Sequence, residues 1–323
     1  MNPLRRLHLD PFLVMILLMV LAATIVPAQG IGKTFFKHLT TAAIALLFFM
    51  HGAKLSREAV LAGVGHWRLH LLVLSTTFVL FPLLGLALRP LVPTLLIPET
   101  YQGFLYLCAL PATVQSAIAF TSVARGNVAA AICSAATSSL LGVFLSPLLV
   151  GLLLSAQGQT DLASSIRAVM LQLLLPFILG HLSRPLTAAW VAKNRRLIRF
   201  TDQSSILLVV YTAFSEAVLE GIWSRVSLGT LVIIGVVSLA LLAVVLAFTT
   251  YSARALGFNK ADEITIVFCG SKKSLANGIP MANILFPPAS VGILVLPLML
   301  FHQIQLMLCA VLAQRYAKRP QED

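Results

Sequence analysis

Residues 268–280 read FCGSKKSLANGIP, a stretch in which two adjacent lysines interrupt an otherwise apolar run. Between Ile264 and Phe286, Lys272 and Lys273 are the only charges. A charge near a bilayer centre costs about 2.5–3.5 kcal/mol on insertion scales, so the run reads as a membrane span only if something local makes the ammonium groups tolerable. The glycine, serines and asparagine around them point to a helix broken at mid-depth, whose exposed carbonyls can hold a cation.

The rest of the chain supports the span reading. Of 323 residues, 59% are hydrophobic and 11% charged, and the mean hydropathy is +0.94, whereas a soluble domain carries about 25% charged residues. Apolar runs of bilayer-spanning length fall near 11–28, 35–53, 69–88, 101–124, 127–154, 165–182, 203–220, 228–252, 262–285 and 289–314. They predict an all-α polytopic membrane protein of about ten transmembrane helices, without a soluble domain. The first run lacks a signal peptide's small-residue cleavage pattern and is expected to be retained. Cys108, Cys133, Cys269 and Cys309 lie inside runs without paired spacing, so neither a disulfide framework nor a zinc site is expected.

A net charge of +12 could suggest nucleic acid, but its distribution argues for a lipid bilayer instead. Of the 23 Lys and Arg, Lys33, Lys37, Arg89, Arg167 and Arg225 fall on one side, and Lys272 and Lys273 within a span. The remaining sixteen share the side of the N-terminus. The bias predicts cytoplasmic termini in a plasma membrane, the inner membrane if the cell is bacterial, with basic loops meeting anionic headgroups.

Cutting the chain in the polar SAQGQTD stretch gives two halves, 1–158 and 159–323, with five spans each. An odd number of spans per half forces opposite orientations. In each half the fourth span is the interrupted one: LPATVQSAIAFTSVARGN (110–127) in the first and FCGSKKSLANGIPMAN (268–283) in the second. Breaks at corresponding places predict an inverted-repeat transporter, with broken helices 4 and 9 crossing near the midplane, at 112–117 and 270–276.

At LPATVQSAIAFTSVARGNVAAAI (110–132), Ser146–Pro147 and GSKKSLANGIPMA (270–282), the chain resembles the bile acid:sodium symporter superfamily, specifically its SBF-like branch. The resemblance implies a core domain of spans 3–5 and 8–10 and a panel domain of spans 1, 2, 6 and 7. It also implies alternating access and an organic anion carried with sodium. Three positions depart from the family pattern: the carboxylate before the second break falls on Val267, the Gln-Asn pair within it on Ser271 and Lys272, and a hydroxyl ligand on Ala131. A sodium site of the usual kind is therefore in doubt, although Na+ stays open as coupling ion; no other cofactor is expected.

Side-chain oxygens for the crossing come from Thr113, Gln115 and Ser116 in span 4 and from Ser271, Ser274 and Asn277 in span 9. Ser134, Thr137 and Ser138 in span 5 could face the same place or simply glue helices together. Lys272 and Lys273 lie too far from either interface to snorkel. At least one is expected to occupy the place of a bound cation, as a fixed charge or as a proton carrier. Burial disfavours a charged amine and carbonyl oxygens favour it. Asp262, Glu263, Glu216 and Glu220 read as helix-end residues. His66 and His70 have metal-compatible spacing but no third ligand, and His302, Gln303 and Gln305 could support the crossing.

The expected function is secondary active transport of a small solute, an organic anion by the family resemblance, with solute identity and oligomeric state open. Two other classes compete. A non-transporting regulator could keep the fold and lose coupling. An intramembrane enzyme could use Ser271 or Ser274 with a lysine base, but every Ser–Lys pair is adjacent or two apart, positions that do not face each other on a helix, so no enzyme is expected. For topology, cysteines introduced at Gln157 and Lys193 should react with an impermeant thiol reagent from opposite sides of the membrane.

Overall fold

The computed structural model describes residues 11–54, 66–155 and 170–319, and within them every regular element is helical. The boundary at residue 158, with Gln157, Arg5, Arg6, Arg57 and Arg167, lies outside the described residues. The elements are α1 (Pro11–Ile25), α2 (Gly30–Lys54), α3 (Trp67–Leu91, with a π-helical turn at Thr76–Leu80), α4 (Pro98–Ala109), α5 (Val114–Val123) and α6 (Val128–Ser155). They continue as α7 (Leu175–Leu182, entered through a π turn at Met170–Leu174), α8 (Arg184–Lys193), α9 (Arg195–Leu219), α10 (Ile222–Arg225), α11 (Leu228–Ala255), α12 (Lys260–Gly270), α13 (Leu275–Leu285) and α14 (Pro288–Ala317).

Among these, α2, α3, α6, α11 and α14 are each long and apolar enough to cross a bilayer. The pair α4 and α5, bent by 65° at its break, qualifies as one further span. The outer face of α11 carries Val232, Val236, Leu239 and Val244, all exposed, as a lipid-facing stripe should. The protein is thus an all-helical polytopic membrane protein.

Both interruptions have local causes. Pro111 cannot donate a helical hydrogen bond and pushes Leu110 into extended backbone (ψ 155°). Thr113, also extended, starts the next helix. The break therefore spans 110–113 rather than the expected 112–117, and Gln115 and Ser116 already belong to the first turn of α5. In the second half, Ser274 caps α13 by accepting from the Asn277 amide at 3.2 Å. That break is confined to 271–274.

Two groups of helices pack internally. In the first, α2 lies against α7 and α9, and α1 lies along α9. Gly52 on α2 faces the Phe177 carbonyl on α7, and Gly180 on α7 faces the Phe49 carbonyl on α2, so the two backbones touch where side chains would hold them apart. A Thr40–Thr212 hydroxyl pair at 2.9 Å ties α2 to α9. In the second group, α4 packs on α14, α5 on α6, and α12 on α3, α5, α6 and α11. Gly142 on α6 admits the Pro111 ring, which seats the first break directly on that helix. Between the groups, α9 packs on α13 and α14.

Gly180→Leu must separate α2 from α7. Overpacking of this kind costs about 1–3 kcal/mol, so the thermal midpoint in detergent should fall. Gly235→Leu on α11, where nothing lies within 4 Å of an added Cβ, should leave it unchanged.

Candidate functional site

The two breaks meet. The Ser274 amide donates to the Pro111 carbonyl at 2.9 Å, and the Thr113 hydroxyl donates to the Lys273 carbonyl at 2.8 Å. From α14, Gln305 clamps both sides of Lys273: its Oε1 accepts from the Lys273 amide at 3.0 Å, and its Nε2 donates to the Lys273 carbonyl at 3.2 Å. From α6, the Ser138 hydroxyl accepts from the Ala112 amide at 3.0 Å. Several of the backbone groups freed by unwinding thus have partners within the protein, as a bilayer-depth break requires.

Lys273 supplies further partners. Its Nζ donates to the carbonyls of Thr77, Cys108 and Leu110 at 2.8, 2.8 and 2.7 Å, and stands 4.1 Å from the centre of the Phe81 ring. Each carbonyl is available for a reason. The Cys108 and Leu110 oxygens belong to the unwound end of α4, where the last carbonyls have no helical partner and the helix dipole is negative. The Thr77 oxygen is free because the Phe81 amide reaches back to Thr76 in the π turn, and the following residue, Pro82, has no N–H. The lysine of one break is therefore the C-terminal cap of the helix preceding the other.

Lys272 goes elsewhere. It is equally buried, but its Nζ lies 4.4 Å over the Phe120 ring, without the carbonyl ligands that Lys273 has.

The expected site residues divide accordingly. Thr113, Gln115, Ser274 and Asn277 line one cavity of about 330 Å³, and Ser138 and Lys273 build the crossing behind it. Ser134 does not reach it: one helical turn from Ser138, it meets the Nδ1 of His70 on α3 at 2.6 Å. Thr137, a third of a turn round α6 from Ser138, is half-buried and joins neither the crossing's hydrogen bonds nor the cavity wall. Ser271 is buried and bonds back to the Val267 carbonyl at 2.6 Å in the last turn of its own helix. The Ser116 hydroxyl is buried without a partner. Val267 and Ala131 are fully buried and bring no side-chain oxygen.

Other expectations shift as well. Asp262 and Glu263 do lie in the first turn of α12, as helix-end residues, but they are buried there. Asp262 accepts from Asn127 at 2.8 Å and Asn259 at 3.0 Å, while Glu263 pairs with Lys260 at 2.5 Å and Arg254 at 3.2 Å. This ties the ARGN turn, where Arg125 adopts φ 56°, to α12. Glu216 pairs with Lys33 at 3.5 Å.

The far wall of the cavity went unforeseen: His51 and Lys54 from α2, Phe177 from α7, and Arg199, Asp202 and Gln203 from α9. Ser139, which accepts from Asn277 at 3.3 Å, was also missed. Their signal was present only as polar residues at the ends of apolar runs, a pattern shared with ordinary interfacial residues. The near wall is formed by the N-terminal turns of α5 and α13, whose amides and dipoles favour negative charge.

The two lysines should separate on substitution. Lys273→Met leaves three buried carbonyls without a donor and should cost at least about 2 kcal/mol. Lys272→Met removes a buried amine that holds no carbonyl and should be neutral or stabilising. Thermal midpoints of the two purified variants test the pair.

The sequence profile of the SBF-like CPA transporter family matches residues 10–318. An Escherichia coli (strain K12) protein named "Putative symporter YfeH" is 64% identical over 314 residues, covering 97% of this chain and 95% of its own. The Pseudomonas aeruginosa protein PA2026 is 60% identical, covering 96% and 93%. Sodium/bile acid cotransporter 7-A of Xenopus laevis is 30% identical over 318 residues, covering 97% and 93%. With a family profile spanning nearly its whole length and relatives aligned end to end, this chain belongs to the SBF-like CPA transporter family and is a membrane transporter.

Proposed function

We propose that the protein moves an organic anion by alternating access, with the Lys273 ammonium standing where a coupling sodium ion would otherwise hold the crossing together. The observation that carries this reading is the set of three carbonyls around Lys273 Nζ, at 2.7–2.8 Å, donated by two different spans. A cation held by backbone oxygens at the meeting of two broken helices is the arrangement through which transporters of this architecture bind ions. Here the charge is covalently attached. The buried, apolar Val267 and Ala131 at positions where the family pattern places oxygens support the same reading.

The architecture belongs to the proposal: ten spans in two inverted five-helix repeats, 1–158 and 159–323. The panel would comprise α1, α2, α7 and α9, and the core α3–α6 and α11–α14. The internal packing of these two groups supports the division, and the cavity between them supports movement of one against the other. An anionic solute is favoured by the helix N-termini on one wall and by Lys54 and Arg199 on the other. The cavity's basic end is the one that the charge bias places in the cytoplasm.

Uptake into proteoliposomes, with sodium present or replaced by choline, tests the coupling. Wild type should transport equally well in both, Lys273→Gln should lose transport, and Lys272→Gln should differ sharply from it. Strong sodium dependence in wild type, with both lysine variants behaving normally, would refute the substitution of lysine for sodium.

A further inference from the structure

A second cavity, of about 400 Å³, lies between α2, α8 and α9 and shares Lys54, Gln115, Arg199 and Asp202 with the one that reaches the crossing. Those four residues stand where the two chambers join, so a solute passing between them must pass these side chains. Lys54 Nζ and Asp202 Oδ2 are 2.5 Å apart. Both belong to the α2–α9 pair, so their bond does not tie the two helix groups together. Asp202 Oδ1 is shut from solvent without a hydrogen-bond donor, which leaves the pair half-satisfied. Arg199, three residues before Asp202 on α9, is exposed and has no ion-pair partner among the described residues.

We infer that the Lys54–Asp202 ion pair is a gate at this junction: Asp202 occupies Lys54 while the path is empty, and the carboxylate of an incoming solute takes its place between Lys54 and Arg199. The inference rests on the anion-transport reading and deepens it, because it names the group that is recognised, an organic carboxylate, and the residue that competes with it. Exchanging one carboxylate for another on the same ammonium keeps Lys54 paired throughout, so entry and release need not leave it bare. With two cations and one resident anion, the junction keeps a net positive charge that attracts a single acid group. Asp202 then reclaims Lys54 as the solute departs.

The test is a double-mutant cycle on Lys54 and Asp202. Binding of succinate and benzoate, as choline salts at constant ionic strength against chloride, is read by thermal shift. Removal of the competitor in Asp202→Asn should tighten binding roughly threefold or more, and Lys54→Gln and Arg199→Gln should weaken it. In the Lys54→Gln background, Asp202→Asn should bring no further gain, because Asp202 acts through Lys54. A gain that persists there would mark simple long-range repulsion and overturn the gate, as would Asp202→Asn binding no tighter than wild type. If neither wild type nor any variant binds either carboxylate, the anion reading falls, and the gate falls with it.

Discussion

A helix unwound at bilayer depth leaves carbonyls that have neither helical partners nor water, and the ammonium of Lys273 is what satisfies them here. It takes two oxygens from the frayed end of α4 and a third from the π turn of α3, whose own partner is removed by register and by Pro82. The accounting works in both directions. The carbonyls make a buried charge tolerable, and the charge makes the unwound backbone tolerable. Gln305, Ser138, Thr113 and the Ser274 amide complete the set with neutral hydrogen bonds.

This closure fixes the polarity of the site. The negative end of α4 is consumed inside the protein by Lys273, whereas the positive ends of α5 and α13 are left on the cavity wall. A crossing of this kind holds its cation within and turns helix N-termini toward the cavity. Relatives share this chain's length almost entirely, including one named for sodium and bile acid cotransport. At Lys273 the carbonyls of the crossing meet a cation that the chain itself carries.

Opposite the crossing, α2, α7 and α9 present a wall of different character. Its backbones touch at Gly52 and Gly180, and its charges gather at Lys54, Arg199 and Asp202. Close glycine packing makes this wall a stiff unit. Its charged residues line the cavity from that unit.

Much of the fold was legible from residues alone because its causes act over short distances. Apolar run length announces spans, and small and polar residues inside a run mark where a span is interrupted. Those signals located both breaks within a few residues, and they singled out Thr113, Gln115, Ser274, Asn277 and Lys273, which the structure places at the crossing or on its cavity. They did not distinguish Lys272 from Lys273, or Ser138 from Ser134. Neighbours in sequence differ there only by rotation about an axis, and what each meets is set by α3, α6 and α14 packing alongside. Nor did they reveal the far wall, where Lys54 and Asp202 stand 148 residues apart in the chain and 2.5 Å apart in space. Where helices begin, break and end could be read from the residues to within a few positions, because propensity and hydropathy are local. Tertiary structure alone decided which lysine holds the crossing and which charges face the cavity, because those outcomes depend on helices brought together from distant parts of the chain.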